Sequence, residues 1–422
     1  MSSATHPVRA NARVLSASLV GTAVEFYDFY IFGTAAALVI GPLFFPSESQ
    51  AAQTLLALMT FGIAFFARPV GAIVFGHFGD RIGRKSTLVV SLLLMGVSTF
   101  LVAFLPSYAV AGWIAPALLC ILRFGQGFGL GGEWGGASLL AVENAPKGWE
   151  ARFGIAAPLG APLGFLFANG LFLLLGLGLS EEDFLSWGWR VPFLASALLV
   201  VLGLWIRLRI GETPAFREAM HAAPPPRVPL GRLLADHPGA VLAGTVGVIA
   251  CFSLFYLATT FALSFATTKL GYPRETILAI QLAADVVFAI GIVVSGWWAD
   301  KTSPRTVMAV GAGLTVLVGL GFGSGLGSGS LWVMFLTMAS ALFVMGLCYG
   351  PLGAWLPGLY AVPVRYTGIS LAFNLGGIVG GALAPFGAAW LAEHGGVAWT
   401  GLVLSAAGVV TLAGVLLAPR RV

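Results

Sequence analysis

The stretch Gly76-His-Phe-Gly-Asp80-Arg81-Ile-Gly83-Arg84-Lys85 places four charged side chains in a short turn between two long apolar segments. Residues 51–75 before it and 86–105 after it are each long enough to cross the ~30 Å hydrocarbon core of a bilayer, which takes about 20 helical residues. Because so few residues join them, the two helices are expected to be antiparallel neighbours with the charged turn at one membrane face. The alternative interpretation is an ordinary basic loop that only fixes topology.

Composition independently indicates a membrane protein. Of the 422 residues 58% are hydrophobic and 9% are charged, whereas a soluble domain carries about a quarter charged residues. The formal net charge of +5 is therefore interpreted as loop topology, and no nucleic-acid partner is expected. The three cysteines stand alone in apolar segments and the five histidines are scattered, so neither a disulfide nor a metal site is predicted. The first apolar segment is too long for a cleavable signal.

Twelve apolar segments predict an all-α membrane protein with twelve transmembrane helices. They lie at 14–45, 51–77, 86–105, 113–142, 152–178, 188–209, 238–268, 275–298, 305–323, 330–361, 367–392 and 396–418. The longest polar stretch, 211–237, contains three consecutive prolines and separates six segments from six. We therefore expect an N-terminal six-helix half (1–210), a cytoplasmic linker (211–237) and a C-terminal six-helix half (238–422).

Basic side chains are distributed unequally between the two sides of the predicted bundle. If the N-terminus is inside, the outside loops hold only Arg190, Lys269 and Arg274, and nearly all other Lys and Arg side chains lie in inside loops. By the positive-inside rule both termini are then cytoplasmic.

The two halves repeat weakly. The segment 296–305, which contains Asp300, follows the eighth span as Gly76 to Lys85 follows the second. Pro304 replaces the basic residue or glycine of the first copy, so the charges of the second copy are expected to couple less tightly.

Ionisable side chains inside predicted spans are costly and are functional candidates by default. They are Glu25, Asp28, Arg68, Arg123, Glu133 and, alone in the eighth span, Asp285. Because an unpaired buried charge costs several kcal/mol, the acids and arginines are expected to pair across helices. Protonation of a carboxylate beside an arginine would release that arginine to bind an anion, which is a physical basis for coupling protons to a substrate. The alternative is a static salt-bridge network that holds the N-terminal half together.

Several blocks of sequence resemble known transporters. Gly76 to Lys85 resembles the signature between the second and third helices of the major facilitator superfamily. Further blocks are similar to the metabolite:proton symporter family, namely Glu25-Phe-Tyr-Asp28-Phe-Tyr-Ile-Phe-Gly33, Ala67-Arg68-Pro69-Val-Gly71, Arg123 to Ala137, Ser186 to Phe193 and Glu212-Thr213-Pro214. The resemblance covers nearly the whole chain. It implies two six-helix halves around a central cavity, with the substrate near mid-membrane between them.

The same resemblance implies a monomeric, multi-pass inner-membrane importer of small carboxylates or zwitterions, which needs no cofactor beyond the proton gradient and is not an enzyme. Its partners are the substrate, protons and the lipid bilayer. The proton-coupling candidates are Asp28, Glu25, Arg123 and Glu133. The substrate-binding candidates are Arg123, Gln126, Tyr27, Tyr30, Tyr256, Tyr349, Trp355 and Asn374. The gating candidates are Asp80, Arg81, Arg84, Glu143, Arg68 and Asp300.

Departures from the family pattern bear on the substrate. Pro158, Leu352 and Gly358 stand where the family often has Gln, Gln and Glu, and the seventh span is uncharged. The C-terminal wall of the cavity is thus less polar than usual, which favours a monocarboxylate or a partly apolar or aromatic acid over a citrate-like trianion. Symport of a zwitterion such as betaine or proline is the alternative. A drug/proton antiporter would typically carry Gly-Pro-x-x-Gly-Gly in the fifth span, and a non-transporting sensor would need an added signalling domain.

The charged turn yields a prediction for gating. Asp80 is expected near the start of the eleventh span, around Tyr366–Ser370, where it caps the positive helix end, while Arg84 pairs with Asp80 or Glu143. Since such a cap contributes only about 0.3–2 kcal/mol, the contact can break in every cycle. Asp80→Asn should therefore bias the carrier towards an inward-open state and slow turnover, with substrate binding retained. Cysteine accessibility from the periplasmic side measures this. An unchanged outward-facing population contradicts the prediction, and poor expression with misinsertion favours a purely topological role.

Overall fold

The computed structural model describes residues 7–47, 49–82, 84–208 and 229–419. Within these ranges every regular element is helical. Eleven helices are long and apolar enough to cross a membrane, and a shorter apolar helix lies between the second and third of them. We number them α1 (Ala12–Phe44), α2 (Gln50–Gly79), α3 (Ser86–Val102), α4 (Ile114–Val142), α5 (Gly160–Gly178), α6 (Gly188–Ile206), α7 (Pro238–Thr268), α8 (Arg274–Lys301), α9 (Pro304–Leu326), α10 (Leu331–Leu359), α11 (Val362–His394) and α12 (Val397–Leu417). The prediction of twelve spans is confirmed.

Five short helices occupy the ends and connections of the bundle: Pro7–Ala10, Tyr108–Ala111, Glu150–Gly154, Glu181–Ser186 and Pro229–Asp236. The last of these lies inside the stretch predicted as a linker. Most of that stretch falls outside the described residues, so the linker and the predicted domain bounds stay predictions, and we use the word halves for the first six and the last six of the twelve numbered helices. We call the end of the bundle where α1 begins and α12 ends the basic end, and the other the opposite end.

The helices pack in two groups that meet along two seams. In the first six helices, α1 packs on α5 and α6, α2 on α4, and α3 on α4 and α6. In the last six, α8 packs on α10, α9 on α10 and α12, and α7 on α11 and α12. The groups meet where α2 packs on α11 and where α5 packs on α8. Aromatic contacts in the interior between these two seams come from α1, α2, α4, α5, α7, α8, α10 and α11.

Three of these helices contain a π-helical turn, at Ala36–Ile40 in α1, Leu257–Phe261 in α7 and Ile378–Leu383 in α11. A π-turn inserts an extra residue into a helix and is frequent at functional sites. The turns of α1 and α7 occupy corresponding positions in the two halves and contact each other near the opposite end. These two helices are thus locally irregular where the halves meet.

Glycines bring α2 and α4 together backbone to backbone. A Cβ at Gly127 would lie 2.1 Å from the Ala64 carbonyl oxygen, and one at Gly131 would lie 2.1 Å from that of Arg68. No real Cβ approaches an oxygen so closely, so only glycine permits this crossing. Helix α4 also breaks at 131–132, since one helix ends at Leu130 and the next begins at Glu133. The run of glycines in α4 therefore accounts for both its close contact with α2 and the break in the helix.

An ion pair joins the halves at the basic end. Asp300 lies in the last turn of α8, and its carboxylate lies 2.5 Å from Arg152 Nε. It also accepts hydrogen bonds from the backbone N–H groups of Ala151 (2.8 Å) and Arg152 (3.2 Å), in the short helix that leads into α5. The Asp300 side chain is only 4% exposed. Asp300 thus caps a helix start in addition to pairing with a cation. The expectation that the second copy of the charged turn couples less tightly than the first stays a prediction, because the charged side chains of the first copy lie outside what the structure describes.

The first copy of the turn lies in the corresponding place. A Cβ at Gly76 would be 3.1 Å from Thr367 Oγ1, and one at Gly79 would be 3.4 Å from the Tyr366 ring. Helix α2 thus ends beside the start of α11, where Asp80 was expected. The side chains of Asp80, Arg81 and Arg84 lie outside what the structure describes, so their gating roles stay predictions. Glu143 lies at the end of α4, also at the basic end.

A second set of charges joins the halves at the opposite end. Arg274, at the start of α8, lies 2.7 Å from Glu181 in the loop between α5 and α6, and 2.7 Å from Glu275. Its guanidinium also stacks 3.7 Å from the ring centroid of Phe184. Beside these charges is a cavity of about 410 Å³, which is lined by residues of α1, α2, α7 and α8 including Gln50, Gln53, Thr54 and Thr268. Charged contacts therefore join the halves at both ends of the bundle.

The α2–α4 crossing yields a stability prediction. Gly127→Ala should force the two backbones apart and destabilise the fold by about 1–3 kcal/mol, as overpacking of a core does. Gly170→Ala in α5 is the matched control, because a Cβ there meets nothing within 4 Å. Thermal unfolding of the two purified variants, followed by size-exclusion chromatography, measures the difference. Equal melting temperatures would contradict the close crossing.

The Asp300 contact yields a prediction for conformational balance. Asp300→Asn removes the charge that holds Arg152, so the state open at the basic end should become more populated. The reporter is Ser138→Cys, with the three native cysteines replaced by Ala, because Ser138 bonds across the halves to the Gly353 carbonyl at 3.2 Å. Maleimide should label it about 3–30-fold faster, as expected from one charge-assisted hydrogen bond.

The control for this experiment is Asp236→Asn. Asp236 forms an exposed ion pair with Arg232 within one short helix, so its loss should leave the labelling rate unchanged. An equal labelling rate in the Asp300→Asn and Asp236→Asn variants would show that the Asp300 contact does not hold the basic end closed.

Candidate functional site

Aromatic rings fill the meeting plane of the two halves at mid-bundle. Tyr256 of α7 packs against Phe61 and Phe65 of α2 at ring-centroid distances of 5.3 Å each, and against Phe29 of α1 at 6.2 Å. Phe252 of α7 extends the contact to Phe65 at 6.1 Å. We call these five residues the aromatic cluster. All five are buried, so the cluster forms an apolar partition between the two ends.

Arg68 lies within the aromatic cluster. Its guanidinium carbon is 4.1 Å from the centroid of Phe29 and 4.4 Å from that of Phe65, and its side chain is 2% exposed. The Tyr256 side chain lies beside it, and Glu25 is the carboxylate whose field acts on it. Glu25 is therefore close enough to act on the charge of Arg68, and the expected pairing of acids with arginines across helices stays a prediction.

Arg123 is held differently, within the N-terminal half. Its Nη1 donates to Gln126 Oε1, and its Nη2 donates to the Phe61 carbonyl oxygen at 3.0 Å. Its guanidinium carbon also lies 3.7 Å from the ring centroid of Phe32. Both terminal nitrogens are therefore engaged by the protein itself, which favours a positioning role over a substrate contact.

Gln126 connects this arginine to α1 and α3. Its Nε2 donates to the Asp28 backbone oxygen at 2.6 Å and to Thr99 Oγ1 at 2.9 Å. Gln126 therefore joins three helices and has no donor left for a substrate.

The Asp28 carboxyl group is fully buried. It lies next to the Ser196 hydroxyl of α6, but the two groups do not have the geometry of a hydrogen bond. Glu133 is close enough to interact electrostatically with Asp28. Among the described residues none donates a hydrogen bond to either carboxyl oxygen of Asp28. Glu133 accepts from Ser91 Oγ of α3 at 2.9 Å. Both acids thus sit within the N-terminal half, and Asp28 is connected to Arg123 through Gln126.

The tyrosines predicted to bind substrate divide between two environments. Tyr27 donates to the Pro192 carbonyl at 2.8 Å, so it faces α6 and not the other half. The Tyr30 ring stacks on that of Phe255 of α7, with the ring centroids 4.7 Å apart, and Tyr30 is close enough to Asp285 to interact with it electrostatically. Asp285, which had no predicted role, is therefore a buried acid of α8 that faces α1 across the interface.

On the side of the cluster nearer the basic end, the break in α4 is a docking point for the C-terminal half. The Gly131 carbonyl accepts from Asn374 Nδ2 at 2.8 Å, and the Gly132 carbonyl accepts from the Tyr366 hydroxyl. Trp134 Nε1 donates to the Tyr349 hydroxyl at 2.9 Å. Carbonyls freed by a helix break need partners, and here the partners come from the other half.

Trp355 lies apart from these residues. Its ring would be 2.7 Å from a Cβ at Gly247 of α7, and it lines a cavity of about 450 Å³ at the basic end together with Asp300 and Arg305. Of the eight predicted substrate contacts, the interface between the halves brings together Tyr30, Tyr256, Tyr349 and Asn374. The sequence analysis did not predict that Arg274 and Glu181 form a contact between the halves. Arg274 could have been recognised as a candidate because it is one of only three basic residues in the predicted outside loops.

Comparisons with known proteins agree with this architecture. The family model described as "Sugar (and other) transporter" matches residues 14–221. The crystal structure of a D-xylose-proton symporter superposes with a TM-score of 0.74 over 96% of this chain and 97% of that chain at 17% identity, which shows the fold alone.

Sequence relatives are considerably closer. The inner membrane metabolite transport protein YhjE of Escherichia coli K12 is 47% identical over 97% of this chain and 94% of its own length. The shikimate transporter of the same organism is 38% identical over 90% of this chain and 88% of its own length. A proline/betaine transporter of Salmonella typhimurium is 30% identical, over 90% and 78% respectively. The chain is therefore a multi-pass membrane transporter and not an enzyme, and it belongs to the metabolite:proton symporter family of the major facilitator superfamily.

Proposed function

We propose that this protein is a proton-coupled symporter that imports a small organic acid across the inner membrane by alternating access, with both termini cytoplasmic. The observation that carries the proposal is the set of buried acids and arginines at mid-bundle, where Arg68 lies between the two halves. Charge is expensive in this environment and persists where function requires it. The chain needs no cofactor in this scheme, since the proton gradient supplies the energy.

The charged contacts at the two ends support alternating access. Arg152–Asp300 joins the halves at the basic end, and Arg274–Glu181 joins them at the opposite end. Opening towards either side requires that one set break while the other persists. Each set includes a partly exposed partner, so water can replace the lost contacts and the cost of opening stays modest.

The buried Asp28 supports proton coupling. A carboxylate with no hydrogen-bond donor among the described residues is costly as an anion in a dry interior, and proton uptake removes that cost. Gln126 holds the Asp28 backbone on one side and Arg123 on the other. A change of charge at Asp28 therefore acts on the same contact network that positions Arg123. In this scheme Asp28 carries the proton and the network transmits its binding to the interface.

The aromatic cluster supports an acid with an apolar or ring-shaped body. Phenyl rings at 5–6 Å spacing offer faces for stacking and few groups for solvating further charges. A trianion would need additional cations at this plane. One of the relatives is a shikimate transporter, and shikimate is a monocarboxylic acid with a ring-shaped body.

A zwitterion such as betaine or proline is the second candidate. Proline/betaine transporters are among the relatives, which favours this candidate. The aromatic rings favour it as well, because their faces attract cationic groups. Counterflow with labelled shikimate and labelled glycine betaine separates the two candidates. A drug/proton antiporter would instead export its substrate against an inward proton flow, and a non-transporting sensor would show no flux of any of these compounds.

Asp28 yields the coupling prediction. Asp28→Asn should keep substrate exchange in proteoliposomes but lose accumulation driven by an imposed proton gradient, because the amide cannot take up the proton. Asp236→Asn, an exposed acid outside the bundle core, is the matched control and should accumulate substrate like the wild type. Accumulation by the Asp28→Asn variant equal to that of the control would exclude Asp28 as the coupling residue.

A further inference from the structure

Two nitrogens of Arg68 are buried with nothing to donate to. Among the described residues no group accepts a hydrogen bond from Nε or Nη2, although the side chain is 2% exposed. An unsatisfied buried donor costs roughly 1–3 kcal/mol, more when it is charged. Phe29 and Phe65, whose ring centroids lie 4.1 Å and 4.4 Å from the guanidinium carbon, stabilise the positive charge but supply no oxygen or nitrogen acceptor for Nε or Nη2. Such a residue is stabilised when a ligand supplies the missing acceptors.

The two unsatisfied nitrogens lie on one edge of the planar guanidinium. Their N–H bonds point in parallel, and this edge is the one that holds a carboxylate through two hydrogen bonds. A single water or hydroxyl oxygen can accept from both donors only with bent hydrogen bonds, whereas a carboxylate offers each donor its own oxygen in line. The vacant donors therefore favour a planar, two-oxygen acceptor.

The surroundings of this edge restrict the body of the ligand that carries the carboxylate. The two rings next to the Arg68 guanidinium, Phe29 and Phe65, belong to α1 and α2, and Tyr256 of α7 packs against both with its hydroxyl beside the guanidinium. A ligand at the Arg68 edge therefore touches both halves of the transporter. Its body meets ring surfaces, which favour an apolar or planar body over one with further charges.

Arg123 lacks the same capacity. Its Nη1 and Nη2 are taken by Gln126 and the Phe61 carbonyl, so only Nε is left without a partner among the described residues. A carboxylate would have to displace two internal hydrogen bonds before it was held at two points.

We propose that the Nε–Nη2 edge of Arg68 is the carboxylate site of this transporter, that the Tyr256 hydroxyl completes it from the other half, and that Arg123 is a positioning residue. The ligand class is a monocarboxylate with an apolar or planar body. This assignment rests on the proposed function and gives Arg68 a substrate contact in place of the gating role predicted from the sequence. Because the site includes residues of α1, α2 and α7, an occupying carboxylate draws the two halves together and favours the closed arrangement.

The test measures ligand affinity separately from transport. Purified wild-type protein is screened by thermal shift with lactate, pyruvate, benzoate, shikimate, 2-oxoglutarate and glycine betaine, and the compound with the largest stabilisation becomes the probe. Its dissociation constant is then measured for wild type, Arg68→Lys, Arg123→Lys and Tyr256→Phe, with the exposed Arg232→Lys as the neutral control.

Arg68→Lys keeps the charge but loses the two-point edge, so its affinity for the probe should fall about 10–100-fold. Tyr256→Phe should lose about 3–10-fold, because one hydrogen bond to a charged group is removed. Arg123→Lys should stay within about 3-fold of wild type in affinity while its ligand-free melting temperature falls. Wild-type affinity in Arg68→Lys, or an equal loss in Arg123→Lys, overturns the assignment. If Arg68→Lys does not fold, Tyr256→Phe decides in its place, and wild-type affinity there overturns it.

Failure of the proposed function is distinguishable from failure of this site. If the probe proves to be glycine betaine, the organic-acid proposal fails, but betaine also bears a carboxylate and the Arg68 prediction applies unchanged. If an acid binds and is transported while Arg68→Lys retains full affinity, the function stands and the site is wrong.

Discussion

Two arginine side chains lie buried among aromatic rings between the helices of this transporter, and much of the structure serves to accommodate their charge. A guanidinium in a dry interior is stabilised by aromatic rings beside it and by acceptors that meet its N–H groups. Arg123 has both, because α2 supplies a carbonyl and α4 supplies Gln126. Arg68 has the rings but lacks acceptors along one edge. This difference separates a structural arginine from one suited to bind a ligand.

The placement of both arginines depends on the glycine crossing of α2 and α4. With the backbones in contact at Gly127 and Gly131, the Phe61 carbonyl comes within reach of Arg123, and the Arg68 backbone lies against the break in α4. The same break exposes carbonyls that accept hydrogen bonds from Asn374 and Tyr366 of the other half. One run of glycines thus sets the position of the charges and provides a dock between the halves.

The two ends of the bundle use different chemistry for the same purpose. At the basic end Asp300 caps a helix start and pairs with Arg152, so the contact depends on backbone orientation as well as on charge. At the opposite end Arg274 is clamped by two carboxylates and the ring of Phe184. Neither contact involves the aromatic cluster. The charged contacts that join the halves at the two ends are therefore structurally separate from the aromatic contacts that join them at mid-bundle.

The sequence by itself determined the twelve spans, because hydropathy is a local property of the chain and a bilayer imposes a minimum helix length. It also identified the buried acids and arginines, since a charge inside an apolar run is visible without a fold. The tertiary structure decided what those charges do. Whether a guanidinium has donors to spare depends on carbonyls and side chains from other helices, as the Phe61 carbonyl shows for Arg123. No spacing within α2 or α4 specifies those partners, because they come together only when the helices cross.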